Sequence, residues 1–158
     1  MALYMKYGPI KGPVTTQGFD GWIELNSFQI GVSRSINTAA RGALSREHSE
    51  PSFSEVTVTK FGCIGSPKIL LDAAAGKLDN KVTIKFTTTN KGDVVTYLTF
   101  DFIECGVSHY SMSSGGDMPM ETLSINYTEM SETFTGMDPG ISGSPETVGY
   151  DLKLMKTK

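Results

Sequence analysis

The chain has 158 residues and a formal net charge of -3, enough for one well-buried domain and too short for two comfortable ones. Hydrophobic (39%) and charged (20%) shares are ordinary, which excludes wholesale disorder, and a pI near 5.4 argues against a nucleic-acid partner, which wants a basic face. No run reads as membrane-spanning and the N-terminus lacks a cleaved-signal pattern, so the expectation is no membrane insertion and folding in the cytosol, with any export by a route that reads no such signal.

Ala2 to Tyr7 alternates Leu3, Met5 and Tyr7 against Ala2, Tyr4 and Lys6, the period of a strand. Gly8 to Gly21 is punctuated by Pro9, Gly12, Pro13 and Gly18 and reads as an ordered loop. Trp22 to Val32 is strand again. Within it Ile23 and Leu25 share one phase and Phe28, Ile30 and Val32 the other, which predicts a bulge or corner near Ser27.

Arg34 to Pro51 differs, with Arg34, Arg41, Arg46, Glu47, His48 and Glu50 spaced by small residues and few apolar anchors. A structureless stretch of that length is unusual in a compact domain and is often functional. The candidate reading is an inter-subunit or stacking arm in which Arg34, Arg41, Arg46, Glu47 and Glu50 offer guanidinium forks and carboxylates to a second subunit. The plainer reading is a solvated excursion.

Val56 and Val58 mark the next strand, with Thr57 and Thr59 facing the other way. Ser66-Pro67 then starts a helix: a serine oxygen caps orphan N–H groups, and proline is pre-shaped for the first turn. Ile69, Leu70, Ala73 and Ala74 recur at helical spacing, and Lys68 and Asp72 sit one turn apart on another face. Gly76 stands where a left-handed cap is wanted. So short a helix is marginal alone and must dock on a sheet.

Val82, Ile84 and Phe86 alternate with Thr83, Lys85 and Thr87, and Asn90-Lys91-Gly92-Asp93 turns the chain into a second strand from Val94, a β-hairpin. That strand sets Leu98, Phe100 and Phe102 against Tyr97, Thr99, Asp101 and Ile103, and runs past a kink near Gly106 to Met112. Ser113 to Asp117 is a turn. Leu123, Ile125 and Tyr127 alternate onward until the phase shifts near Thr128 to Met130, Glu132 and Phe134, another corner. Gly136 to Ser144 is loop, and Val148, Tyr150, Leu152 and Leu154 close the chain as a final strand. About seven strands and one short flanking α-helix make an all-β fold, a single β-barrel or closed sandwich over residues 1–158.

Residues for catalysis are not assembled by this pattern. His48 and His109 lie far apart with no nucleophile motif beside either, and Gly140 to Ser144 lacks the last glycine of a nucleophile elbow. Ser113 to Asp117 has no lysine and no following helix, so it is no phosphate loop. Cys63 and Cys105 are too few for a disulfide scaffold and too isolated for zinc, and read as reduced, mostly buried thiols. Neither metal nor cofactor is implied. Thr83, Thr87, Thr88, Thr96, Thr99, Thr122, Ser124 and Thr128 place hydroxyls on non-core strand faces, a wet wall or simply β-propensity.

Several segments, in order along nearly the whole chain, carry a resemblance: Gly21-Trp22-Ile23-Glu24-Leu25 with Ser27-Phe28, Val56 to Lys60 leading to Ser66-Pro67-Lys68, and Ala75-Gly76-Lys77. Tyr97-Leu98, Val107 to Ser111, Pro119-Met120-Glu121 with Leu123-Ser124, Asn126-Tyr127 and Gly149 to Leu152 continue it. The chain resembles the haemolysin-coregulated protein (Hcp) family, the tube subunit of bacterial type VI secretion, related in fold to phage tail-tube proteins. It departs at Cys63-Ile64-Gly65, where the family often carries an aspartate and an alanine. The resemblance implies a β-barrel with a flanking helix and homo-hexameric rings stacked head to tail into a hollow tube. It also implies a contractile sheath, a spike protein (VgrG-like) at the tip, small effector proteins in the lumen, and release to the medium or into target cells. The arm from Arg34 to Pro51 then reaches a neighbouring subunit. The alternative, from another class, is a monomeric β-barrel module binding a small ligand.

Overall fold

The computed structural model describes residues 1–36, 49–135 and 145–158, which are mainly β-structure with one helix. In chain order the elements are β1 (Ala2–Tyr7), β2 (Ile23–Leu25), β3 (Ser27–Gln29), β4 (Val32–Ser33), β5 (Ser52–Phe53), β6 (Val56–Phe61), α1 (Ser66–Ala75), β7 (Asn80–Asn90), β8 (Asp93–Ser113), β9 (Met120–Asn126), β10 (Glu129–Phe134), β11 (Glu146–Asp151) and β12 (Lys156–Thr157). One antiparallel sheet runs β12-β11-β10-β8-β7-β1-β2, and a second, β3-β6-β9, joins it because β9 also pairs with the far half of β8. β4 and β5 form a separate ribbon. The ladder forms no closed ring of strands among the described residues.

Two corners create this arrangement. The run expected as one strand from Trp22 to Val32 is three strands: at Asn26 the chain leaves β1 and joins β6, its N–H donating to the Thr59 carbonyl at 2.7 Å, and by Val32 it has left β6 to pair with β5. The flip of apolar phase between Leu25 and Phe28 is that change of sheet, and both side chains still turn inward. In β8 the bend falls at Glu104, held at a φ of 54°. Before it, Leu98 to Ile103 lie between β7 and β10; after it, Gly106 to Ser113 pair with β9. Such corners cut the about seven strands expected from alternation into twelve.

Met5, Ile23, Val58, Ile84, Phe102 and Leu123 meet between the sheets, fully or almost fully buried. Each contributes about 1.5–3 kcal/mol by leaving water. Tyr4, on the opposite side of β1, is buried too because Phe19 from the following loop stacks on it at 4.6 Å. The β7–β8 hairpin forms as expected: Asn90 opposes Asp93, and Lys91 and Gly92 take φ values of 50° and 90°, a turn whose twist matches the strands.

Three local expectations fail. Thr87 is buried, its hydroxyl donating to the Ala2 carbonyl at 3.1 Å, because a bulge between Phe86 and Thr87 reverses its face. Leu152 and Leu154 are not in a strand: Asp151 Oδ1 accepts the N–H groups of Lys153 and Leu154 and turns the chain back into β12. The helix has the expected bounds but not the expected ends. Gly65 is the N-cap without a side-chain bond, and Gly76 is extended (φ -71°), not left-handed. Glycine is required there for space, since a Cβ would lie 2.5 Å from the Asp72 carbonyl oxygen.

Candidate assembly surface

The arm expected between Arg34 and Pro51 has a built stem. β4 and β5 pair Val32 with Phe53 and Ser33 with Ser52. Ser49 N–H donates to the Ser35 carbonyl and Ser35 N–H to Ser49 Oγ, both at 2.9 Å. Phe53 stacks on Tyr150 at 4.8 Å, and the Tyr127 hydroxyl donates to the Ser54 carbonyl at 2.8 Å, so the stem is anchored to the body. Arg34 and Glu50 stand on it, both exposed. Arg41, Arg46 and Glu47, with His48, lie outside the described residues.

Sequence reasoning missed a buried ion pair. Lys60 and Glu121 oppose each other on β6 and β9, both facing inward and both fully buried. Lys60 Nζ also donates to the Phe61 carbonyl at 3.0 Å and Ser66 Oγ at 3.1 Å, and lies 3.4 Å from Cys63 Sγ. Glu121 Oε1 accepts the Tyr110 hydroxyl, while Oε2 faces Lys60. Burial pushes the Glu121 carboxyl up, but hydrogen bonds from Lys60, Tyr110 and Ser66 outweigh it and hold the group below its ordinary value. Burial, with the Glu121 contact, pushes Tyr110 up to about 12. The serine expected to cap α1 is therefore turned away, accepting from the Cys63 N–H at 2.9 Å. A lysine and a glutamate breaking alternation at core phase were the available signal. This cluster pins β6, β9, β8 and the start of α1 together.

A second polar tie holds the far end of the helix. The Tyr7 hydroxyl donates to Asp72 Oδ2, Asn80 Nδ2 donates to Asp72 Oδ1 at 3.2 Å, and burial and that carboxylate raise the Tyr7 pKa. Of the expected apolar stripe only Ile69 is fully buried and Ala73 half-buried; Leu70 and Leu71 are 52% and 65% exposed. Ile64 and Leu78, just before and after the helix, are exposed as well. A second apolar surface is concave: a groove of about 380 Å³ beside the arm stem, lined by Ile30, Val32, Phe53, Met130, Val148 and Tyr150, with Glu132 the one charged lining residue among those described.

The outward faces of the two sheets differ. On β3, β6 and β9, Ser27, Thr57, Thr59, Thr122 and Ser124 neighbour one another across the strands, and Ser27 Oγ lies 2.5 Å from Thr59 Oγ1. On β1, β7 and β8, Thr83 and Thr99 alternate with Lys6, Lys85 and Asp101, Thr83 Oγ1 donating to Asp101 at 2.7 Å.

His109 is exposed on β8 opposite Ser124, and Gly140 to Ser144 lies outside the described residues. Cys63 and Cys105 are free thiols, and burial pushes Cys105 up to about 12. Among the described residues no group of His, Cys, Asp and Glu is placed to hold a metal, and no helix is long and apolar enough to cross a membrane.

A family model described as "Type VI secretion system effector, Hcp" matches residues 4–134. No curated protein sequence matches. Among solved structures, a type six secretion system protein superposes with a TM-score of 0.88 at 26% identity, covering 99% of each chain. Hcp1 from Salmonella typhimurium gives 0.76 at 18% identity over 100% of each chain. A type VI secretion system effector from Yersinia pestis gives 0.75 at 16% identity over 94% of this chain and 98% of that one.

Proposed function

The chain belongs to the Hcp family of type VI secretion proteins, and on that footing we propose that it is a secreted structural subunit of the inner tube, assembling as hexameric rings that stack head to tail. The observation that carries this is the family match over residues 4–134, joined by a fold likeness spanning 99% of the chain. In this reading the two sheets act as one barrel wall bent at Asn26 and Glu104, and the work is mechanical and adhesive, not catalytic. A ring closes when two unlike patches of one chain meet around an axis, and its unlike faces let rings stack.

The tube sits in a contractile sheath with a VgrG-like spike at its tip, is cytoplasmic before firing, and carries small effector proteins in its lumen. Arg34, Arg41, Arg46, Glu47 and Glu50 form the arm's contacts with a neighbouring subunit or ring. The stem that projects Arg34 and Glu50 supports this role. Replacing all three arginines by alanine should impair ring formation or tube growth, as seen by electron microscopy; unchanged tubes would remove the arm from the account.

One observation favours a different reading. The apolar groove of about 380 Å³ has the size of a small-ligand site, as a monomeric binding module requires. Size-exclusion chromatography with light scattering separates the two, since the module stays monomeric at concentrations where a tube subunit forms rings.

A further inference from the structure

Both apolar surfaces described above belong to the same chain, and their shapes are opposite. The exposed side of α1 is a convex ridge of Leu70 and Leu71, and Lys68, one turn before Leu71, flanks it. The groove beside the arm stem is concave and apolar, with Glu132 as its one charged lining residue among those described. The helix is tied to β8 beyond its bend, where the Val107 N–H donates to Asp72 Oδ2, whereas the groove is walled by β4, β5, β10, β11 and β12 and meets β8 before the bend, at Phe100. The ridge and the groove are therefore separate patches of the chain.

We propose that α1 of one copy seats its Leu70–Leu71 ridge in the groove of the next copy, with Lys68 facing Glu132. The inference rests on the tube reading and names the two faces that meet within a ring. Charge complementarity selects a second copy as occupant, because a lone carboxylate in an apolar groove calls for an apolar surface carrying one cation. The chain exposes such a surface on its only described helix. A contact between two unlike patches is head-to-tail, and it closes into a ring when the rotation allows. It also covers the two exposed leucines of α1, and apolar surface of that kind, where it is grouped, marks interaction sites.

The test uses two variants that each spoil one face. Leu71→Asp disables the ridge and keeps the groove; Val148→Asp disables the groove and keeps the ridge. Each alone should lose rings and run as a monomer in light scattering, with circular dichroism unchanged from the parent. Mixed, they should form a one-to-one heterodimer and nothing larger, because one good contact remains and cannot propagate. A second arm uses charge: Lys68→Glu and Glu132→Lys should each weaken ring formation at low salt, and the double exchange should restore it. Rings from either aspartate variant, or a mixture of folded variants that stays monomeric, would overturn the docking of these two faces while leaving the tube reading in place. A parent chain without rings would instead overturn the tube reading, and this inference with it.

Discussion

Removing the cation from the buried pair is the sharpest perturbation of the fold. Lys60→Met keeps most of the side-chain volume but leaves the Glu121 carboxylate fully buried with only the neutral hydroxyls of Tyr110 and Ser66 beside it. It also withdraws the donor that reaches Ser66 Oγ and the Phe61 carbonyl. Taking one partner from a buried pair costs about 3–5 kcal/mol, because the other charge stays desolvated. With a urea slope of about 2 kcal/mol/M, the unfolding midpoint should fall by roughly 2 M. Lys60→Met with Glu121→Gln removes both charges and lets the amide still accept from Tyr110, so most of the loss should return. The measurement is a urea titration of the parent, both single variants and the double at one low concentration. A single variant within about 1 kcal/mol of the parent, or a double no better than Lys60→Met, would refute the assignment of this cluster as the main lock between the sheets and the helix.

Acid should weaken the fold through the same carboxylate. Glu121 titrates below its ordinary value in the folded chain, so the unfolded chain takes the proton first; the stabilisation is complete above the ordinary carboxylate value and is lost as pH falls below it. Glu121→Gln should flatten that acid limb in urea titrations run at successive pH values, and an unchanged slope would contradict it. Two glycines should respond differently to alanine. At Gly76 the new methyl would lie 2.5 Å from the Asp72 backbone oxygen, whereas at Gly106 it meets the mobile end of Leu78 at 2.3 Å. Gly76→Ala should therefore cost about 1–3 kcal/mol and Gly106→Ala under about 1 kcal/mol, both read by thermal unfolding, and the reverse order would be wrong for this backbone.

Much of the fold was legible because strand alternation records which face is buried. β1, the β7–β8 hairpin and the helix bounds follow from period and turn residues alone, and the phase flips near Ser27 and Thr128 mark real corners. What was not legible depends on partners distant in the chain. Lys60 and Glu121 each stand at the core phase of their strand, but only the pairing of β6 with β9 shows that they are partners. Ser66 has the chemistry of a cap, yet a buried ammonium nearby competes for its oxygen. Gly76 looks like a left-handed stop, but its reason is the nearness of Asp72. Of the proposed arm, the sequence marked the charged residues and missed the two-residue strands beneath them, too short to show any period. The apolar ridge and groove were invisible for a similar reason: leucines on a helix read as core until the docked face is known.

The account depends on this chain binding copies of itself, and imaging the purified protein tests that most directly. Negative-stain electron microscopy at rising concentration should show rings with a central hole, joining into tubes. Particles that stay single and compact at high concentration, with a monomeric mass by light scattering, would contradict it.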